Sequence, residues 1–284
     1  MSQTAVNTPI IGVFDSGFGG LTVLRALMHR LSGAKFAFLG DTARLPYGSK
    51  SRRTIARYAA ESAQFLVNEQ GAQFLVIACN TASALALDAI QDAVPVPVLG
   101  VIEPGAAAAR AASESGDVLV IATDATVQSH AYAAACRGLG LRALEKACPL
   151  LVPLVEEGWV DPSRAMGAVT ADVIRIYIGE LMEEASTAGL NPDVLVLGCT
   201  HYPLLHTFFE AAVPAGIRVI DSAQATAETA GRLIEAQSGS GKEGHAENTL
   251  IRCFATDSVD KFERLGSRFL GQPVGRVQLV DLGG

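Results

Sequence analysis

The sequence has few cysteines and an excess of acidic over basic side chains, and each feature excludes a class of protein. Its 284 residues include 5 cysteines. They are widely spaced, odd in number and without a Cys-x-x-Cys pair, so we expect neither a disulfide framework nor a structural zinc site. The net charge is −7, which argues against a nucleic-acid partner. Arg52, Arg53 and Arg57 are predicted to form the solvated face of a helix.

Long apolar runs and a leader-type signal are also missing. There is no run of 18 apolar residues, and no positively charged segment precedes an apolar one before Gly12. We therefore expect no membrane partner and a cytoplasmic location. Hydrophobic residues make up 49% of the chain and charged residues 18%. This composition and length fit one large α/β domain or two smaller ones.

Short apolar runs of strand length alternate with amphipathic segments of helical period. Leu21, Leu24 and Leu27 fall on one helical face, and a second helix, containing Ile55, is predicted to stop at Gly71. The stretch 236–248 is predicted to be a surface loop. The predicted strands lie near 10–15, 35–40, 73–79, 96–102, 118–123, 148–154, 193–199, 216–221 and 249–256. This alternation predicts an α/β fold with parallel sheets flanked by helices.

The pattern of the first four predicted strands is repeated in the next four. The strands leading to Cys79 and Cys199 are each followed by another strand, which ends near Glu103 or Asp221 at nearly the same offset. We infer two similar, pseudo-symmetric α/β domains with the active site in the cleft between them. The predicted domains cover 1–99 with 214–284, and 100–213.

Polar side chains follow the predicted strands at their carboxyl ends, where open parallel sheets bind ligands. They are Asp15-Ser16, Asp41-Thr42, Cys79-Asn80-Thr81, Thr123, Glu156, Cys199-Thr200-His201 and Asp221-Ser222. Two thiols facing one cleft suit two-base proton transfer, in which one group removes a proton from a stereocentre and the other supplies one to the opposite face. A helix N-terminus beside each thiol should bring its pKa near the working pH.

Other strand-end groups could assist these thiols. His201 can take or assist the proton beside Cys199, and Asp15 could do the same for Cys79. A serine or threonine after a strand is often only a helix cap, but its occurrence together with two cysteines favours a binding site. The candidate donors to substrate carboxylates are Ser16, Asn80, Thr81, Thr123, Thr126 and Thr200.

The sequence predicts no cofactor and no metal. The turn DSGFGG (15–20) lacks the third glycine of a dinucleotide fingerprint, because Thr22 stands there. Its glycines are expected to let the backbone approach a small ligand. Cys199 and His201 have no second close pair of metal ligands. Pyridoxal phosphate would need a lysine, and Lys50 lies nearest a strand-end loop.

The strand-end motifs together resemble the glutamate racemase family of the aspartate/glutamate racemase superfamily. They are FDSGFGGLTV (14–23), GDTARLPYGSKS (40–51), ACNTASA (78–84), GVIEPG (100–105), LVPLVEEG (151–158), GCTHYP (198–203) and DSA (221–223). The resemblance implies a cofactor-independent isomerase that interconverts L- and D-glutamate and supplies D-glutamate for peptidoglycan synthesis. It leaves a homodimer open.

The resemblance also implies roles for individual residues. Cys79 would deprotonate D-glutamate with support from Asp15, and Cys199 would deprotonate L-glutamate with support from Glu156 and His201. The family's Gly-Thr turn is Ala122-Thr123 here. Residues on the substrate-binding motifs are Asp15, Ser16, Tyr47, Gly48, Asn80, Thr81, Thr200 and His201, with Thr123 and Thr126 at the altered turn.

Three alternatives stay open at the level of sequence. A racemase of aspartate or another acid would use the same two thiols. A two-domain amino-acid sensor would close on its ligand without needing them. A cysteine hydrolase would use one thiol as nucleophile and leave the second idle.

Overall fold

The computed structural model describes residues 9–237 and 249–283, and its strands form two sheets in which every pair is parallel. The strands are β1 (Ile10–Asp15), β2 (Lys35–Gly40), β3 (Phe74–Ile77), β4 (Val98–Gly100), β5 (Asp117–Ala122), β6 (Arg142–Ala147), β7 (Val194–Gly198), β8 (Arg218–Asp221), β9 (Leu250–Ala255) and β10 (Val277–Leu279). The first sheet has the order β10-β9-β2-β1-β3-β4 and the second β6-β5-β7-β8. The repeated order β2-β1-β3-β4 and β6-β5-β7-β8 agrees with the predicted duplication.

Helices connect the strands, as parallel pairing requires. They are α1 (Leu21–Arg30), α2 (Arg52–Gln64), α3 (Asn80–Leu85), α4 (Leu87–Ala93), α5 (Ile102–Ala112), α6 (Asp124–Ser129), α7 (Ala131–Gly138), α8 (Leu151–Glu156), α9 (Ala165–Thr187), α10 (His206–Ala212), α11 (Ser222–Gln237) and α12 (Val259–Leu270). The Ser51 hydroxyl caps α2 by accepting from the Thr54 N–H. A π-helical turn, Phe65–Glu69, extends α2, and Gly71 follows with φ 71°. The predicted stop at Gly71 is confirmed.

The two sheets share a continuous core. Strands β1, β3, β5 and β7 are apolar on both faces because helices cover both sides. One apolar cluster contains Val13 and Val76 from the first sheet and Leu119 and Leu197 from the second. Helix α11, which follows β8, packs against α1 of the first sheet. The domains therefore meet through buried side chains as well as at the cleft.

The strand predicted at 148–154 is wrong. One edge strand of the second sheet is β6, and helix α8 follows it at Leu151–Glu156. Strand β6 is only partly buried and includes Arg142 and Lys146, so its composition hides it from an apolar pattern. The apolar run after it instead forms a short helix that buries Leu151 and Val155. Glu156 therefore ends a helix, not a strand.

The remaining strand predictions are confirmed within a few residues, but β10 is not predicted by the sequence. Strand β8 pairs with β7, whereas residues 214–284 are all expected in the first domain. The chain rejoins the first sheet only at β9, after Asp221. The predicted surface loop at 236–248 lies, for residues 238–248, outside the described part of the chain. None of the helices in the described ranges combines the length and apolarity needed to cross a bilayer.

Candidate active site

A cavity of about 410 Å³ lies where the carboxyl ends of the strands of both sheets meet. Segments that follow β1, β2 and β3 form one side, and segments that follow β5 and β7, with α8, form the other. The site residues predicted from sequence that line it are Ser16, Tyr47, Gly48, Cys79, Asn80, Thr81, Thr123, Glu156, Cys199, Thr200 and His201. Asp15 and Thr126 lie behind the cavity wall, in contact with residues that line it.

Cys79 and Cys199 are contributed to this cavity by different domains. Cys79 follows β3 and begins α3, where its sulfur accepts from the Ala82 N–H at 3.5 Å and donates to Ser16 Oγ at 3.3 Å. Cys199 follows β7, and the backbone N–H groups of His201 and Tyr202 interact with it. Both residues are buried, at 5% and 7% exposure. The topology therefore brings two thiols to one small cavity.

Burial controls the acidity of both thiols. It raises the pKa of Cys79 to about 11, with a further contribution from the charge of Asp15, while the contacts with Ser16 and Ala82 oppose the rise. Burial also raises the pKa of Cys199 well above its ordinary value, against the backbone N–H of His201. The expectation that helix N-termini bring each thiol pKa near the working pH is wrong, because desolvation outweighs these N–H groups.

Asp15 ends β1 beneath the glycine-rich turn. One of its carboxylate oxygens, Oδ2, accepts from the Gly17 N–H at 2.9 Å, while Oδ1 is buried with no hydrogen-bond partner among the described residues. Burial raises the pKa of Asp15, although the charge of His201 acts to lower it. A Cβ on Gly20 would lie 2.6 Å from the Asp15 Cβ. The Asp15 side chain therefore leaves room only for glycine at position 20. Gly17, in the same turn, lines the cavity.

His201 and Glu156 approach each other on the Cys199 side. The His201 Nε2 lies 3.5 Å from Glu156 Oε1, at the outer distance limit of a hydrogen bond. The second carboxylate oxygen of Glu156 accepts from Lys261 Nζ at 3.0 Å. Burial acts to raise the pKa of Glu156, but His201 and Lys261 together hold it below its usual value. Glu156 is therefore an ionised carboxylate between two cationic or ionisable partners.

A triangle of threonine hydroxyls joins the domains at the cavity. Thr81 follows β3, while Thr123 and Thr126 lie at the start of α6. The Thr81 hydroxyl lies 3.0 Å from that of Thr123 and 3.2 Å from that of Thr126, and the last two are 2.9 Å apart. Thr126 is fully buried, so it can orient the other two but does not line the cavity. Beside them, Asn80 Oδ1 accepts from the Tyr132 hydroxyl at 2.7 Å.

A buried network fixes the loop that carries Tyr47 and Gly48. The Tyr47 hydroxyl donates to Asp41, which also accepts from Arg44 Nε at 2.8 Å and from Thr256 Oγ1 at 2.9 Å. Asp41 is a strand-end candidate in the sequence, but here it supports the loop from outside the cavity. A Cβ on Gly48 would lie 3.2 Å from the Thr123 Cβ, so this loop reaches the other domain.

Sequence reasoning misses several residues that line the cavity. They are Gly17, Phe18, Leu45, Pro46, Ser49, Asp124, Pro149, Val152, Pro153 and Glu157. Most of them lie within the motifs at 14–23, 40–51 and 151–158, so membership of these motifs is the sequence signal that indicates them. Lys50 donates to the Pro46 carbonyl at 3.2 Å instead of lining the cavity. Within residues 9–237 and 249–283, no group of three or more His, Cys, Asp or Glu side chains could hold a metal ion.

Comparison with known proteins shows which family has this arrangement. The family model described as Asp/Glu/Hydantoin racemase matches residues 11–230. A glutamate racemase from Koribacter versatilis is 49% identical, over 97% of this chain and 98% of its own. The solved structure of a glutamate racemase isoform from Bacillus anthracis has a TM-score of 0.85 at 36% identity, covering 96% of this chain and 98% of that one.

A second solved structure is that of the glutamate racemase from Francisella tularensis in complex with D-glutamate. It has a TM-score of 0.83 at 34% identity and covers 97% of this chain and 98% of that one. These likenesses extend over both domains and confirm the family resemblance seen in the motifs. The chain belongs to the Asp/Glu/hydantoin racemase family and, as a racemase, is an isomerase.

Proposed function

We propose that the protein interconverts L- and D-glutamate without a cofactor, by two-base proton transfer at the α-carbon. The observation that carries the proposal is that Cys79 and Cys199, one from each domain, line the same cavity of about 410 Å³. A cavity of this size can enclose a small amino acid. The proposal is supported by the relative solved with D-glutamate, and by the full-length similarity to glutamate racemases.

The proton moves between the two sulfurs and the substrate. With L-glutamate, the Cys199 thiolate takes the α-proton, and the electron pair remains on the α-carbon, delocalised into its carboxylate. The Cys79 thiol then donates its proton to the opposite face, which yields D-glutamate and a Cys79 thiolate. The reverse reaction exchanges the roles of the two cysteines.

Neighbouring groups must stabilise whichever thiolate is formed, because burial favours the neutral thiol at both positions. On one side, His201 lies next but one to Cys199 and faces Glu156; we assign both residues to support of Cys199. On the other, the charge of Asp15 raises the pKa of Cys79, so we assign Asp15 to accept the Cys79 proton and not to stabilise the thiolate. A substrate ammonium group between these acidic residues would further favour a thiolate.

Substrate carboxylates would be held by short polar groups on both walls. Hydroxyl and amide donors stabilise negative charge, including the charge that develops when the α-proton leaves. The Thr81 and Thr123 hydroxyls are fixed by Thr126, which favours a preorganised site. The proposed substrate-binding residues are Ser16, Tyr47, Gly48, Asn80, Thr81, Thr123, Thr200 and His201, which line the cavity. Asp15 and Thr126, also predicted to bind substrate, lie behind the cavity wall, and we propose that they act through Gly17 and Thr81.

The test follows the decay of the circular-dichroism signal of the amino acid after the pure protein is mixed with L-glutamate or L-aspartate. We expect turnover of glutamate, and its loss by a factor on the order of 10²–10⁴ in Cys79→Ala and in Cys199→Ala. Cys136→Ala is the matched control, because Cys136 is a buried thiol on α7 outside the cavity. It should keep full activity.

Three outcomes would reject the proposal in different ways. Turnover that survives loss of either cavity cysteine would reject the two-base mechanism. Faster turnover of aspartate than of glutamate would favour a racemase of aspartate. Tight glutamate binding with no turnover, unaffected by thiol alkylation, would favour a sensor.

The cellular role extends the same proposal. D-glutamate made in the cytoplasm would supply peptidoglycan synthesis, so the gene should restore growth without D-glutamate to a bacterium that cannot make it. A variant lacking Cys79 should not. The homodimer stays a prediction, which light scattering of the pure protein can test.

A further inference from the structure

Helix α12 reaches from the first domain to α8 of the second. Its inner face packs on the first sheet, where Phe262 lies 5.9 Å from Phe38 between ring centroids. From the same helix, Lys261 Nζ lies 3.0 Å from Glu156 Oε2, and Arg268 Nη1 donates to the Val155 carbonyl at 3.4 Å. Two cations of α12 therefore hold the end of α8 across the domain boundary.

Glu156 is shared between Lys261 and His201. Its Oε2 faces the ammonium group, while Oε1 lies 3.5 Å from the imidazole Nε2. The Glu156 side chain is 21% exposed and that of Lys261 41%, so the pair is partly shielded from water. Because one oxygen is held by Lys261, the other is directed at His201.

The imidazole itself is fixed by aromatic rings. His201 lies 6.0 Å from Phe18 and 5.0 Å from Phe269, which is also on α12. The Lys261 ammonium lies 5.6 Å from the Phe18 ring. Helix α12 thus contributes both a ring beside His201 and the cation that holds its carboxylate partner.

We propose that Lys261 is a positioning residue for the Cys199 half of the site, where its ammonium holds Glu156 against His201 from the opposite domain. The inference rests on the proposed function, in which Glu156 and His201 support Cys199. The Cys79 half has other partners: Cys79 donates a hydrogen bond to Ser16, and the charge of Asp15 acts on its pKa. Loss of Lys261 should therefore weaken one of the two proton transfers.

A directional effect has to be read from isotope effects. L- and D-glutamate are mirror images and equally stable in water, so kcat/KM must be equal in the two directions for any variant. The kinetic isotope effect of an α-deuterium can differ. The isotope effect increases for the enantiomer whose deprotonation has become slower, because that step then limits its rate more strongly. It decreases for the other enantiomer, because its own deprotonation then limits its rate less.

The experiment compares Lys261→Met with the wild type, using α-deuterated L- and D-glutamate. We expect kcat/KM to fall about three- to fivefold, the effect of a partly exposed ion pair. We also expect a larger isotope effect for L-glutamate and a smaller one for D-glutamate. Lys261→Arg should restore wild-type values. Arg264→Met, which removes a cation from the exposed face of the same helix, should change neither.

Unchanged rates and isotope effects in Lys261→Met would overturn the inference, as would a change in the same sense for both enantiomers, since that indicates a general disturbance. If thermal unfolding shows that Lys261→Met is not folded, Lys261→Gln gives the same comparison. A wild-type protein that does not racemise glutamate would reject the proposed function itself. A wild type that does, with symmetric isotope effects in the variant, rejects only the role of Lys261.

Discussion

A methyl group at residue 19 tests how closely the two domains must meet at the active site. Gly19 lies in the turn between β1 and α1, and a Cβ there would stand 2.4 Å from Thr200 Oγ1 and 2.6 Å from His201 Nδ1. The neighbouring Thr22 hydroxyl donates to the Thr200 carbonyl at 3.3 Å. Since ordinary non-bonded contacts are about 3.5–4.0 Å, Thr200 and His201 would have to withdraw by roughly 1 Å.

This displacement should affect activity more than stability. A shift of about 1 Å in a reacting or positioning group can lower a rate by about 10²-fold. Overpacking of a buried contact destabilises a protein by about 1–3 kcal/mol, which leaves most domains folded. We therefore expect Gly19→Ala to lose about two orders of magnitude in kcat/KM for glutamate while remaining folded at 25 °C.

The assay combines racemisation, followed by circular dichroism, with urea unfolding. Gly179→Ala is the matched control, because a Cβ at Gly179 in α9 would meet nothing within 4 Å. It should keep full activity and gain about 0.5–1 kcal/mol of stability, as expected for alanine over glycine within a helix. Activity within twofold of the wild type in folded Gly19→Ala would refute the reasoning, because His201 could then move without consequence.

Other predictions concern groups around the cavity and far from it. Tyr132→Phe removes the donor to Asn80 Oδ1, so urea unfolding should show a loss of about 1–2 kcal/mol; an unchanged midpoint would contradict it. Thr126→Val removes a hydroxyl from the threonine triangle and should raise the KM for glutamate, whereas unchanged kinetics would show that this hydroxyl orients nothing. Desolvation acts to raise the pKa of Asp193, but hydrogen bonds from Ser113 and from the backbone N–H groups of the next two residues lower it to about 2. Its carboxylate therefore stabilises the fold above about pH 4 and loses this effect as the pH falls toward 2, so Asp193→Asn should lower the urea midpoint more at pH 6 than at pH 3. An equal difference at both pH values would contradict the assignment.

The strand-end residues could be predicted from sequence for a simple physical reason. Parallel strands end at one edge of a sheet, so a polar residue after an apolar run is placed near others of its kind. Cys79, Asn80, Cys199 and Thr200 follow that rule, and all four line the cavity. Thr126 does not line it, because it lies one helical turn farther along and is directed into the core.

Other features depend on contacts that linear sequence does not encode. Lys261 meets Glu156 across 105 positions, with no local pattern that marks the lysine. Strand β6 escapes prediction because an edge strand with charged residues such as Lys146 lacks an apolar pattern. The thiol pKa values depend on how deeply Cys79 and Cys199 are buried, which is a property of the folded cleft.

The central claim, that two sulfurs serve opposite faces of one carbon, can be tested by deuterium placement. Unlabelled L-glutamate is incubated with the protein in heavy water, and mass spectra of both enantiomers are recorded before a tenth of the substrate has reacted. The account predicts that the D-glutamate formed carries deuterium at the α-carbon while the remaining L-glutamate carries almost none, because the proton delivered comes from a second, solvent-exchanged thiol. D-glutamate that retains its original proton, or equal labelling of the two enantiomers, would contradict it.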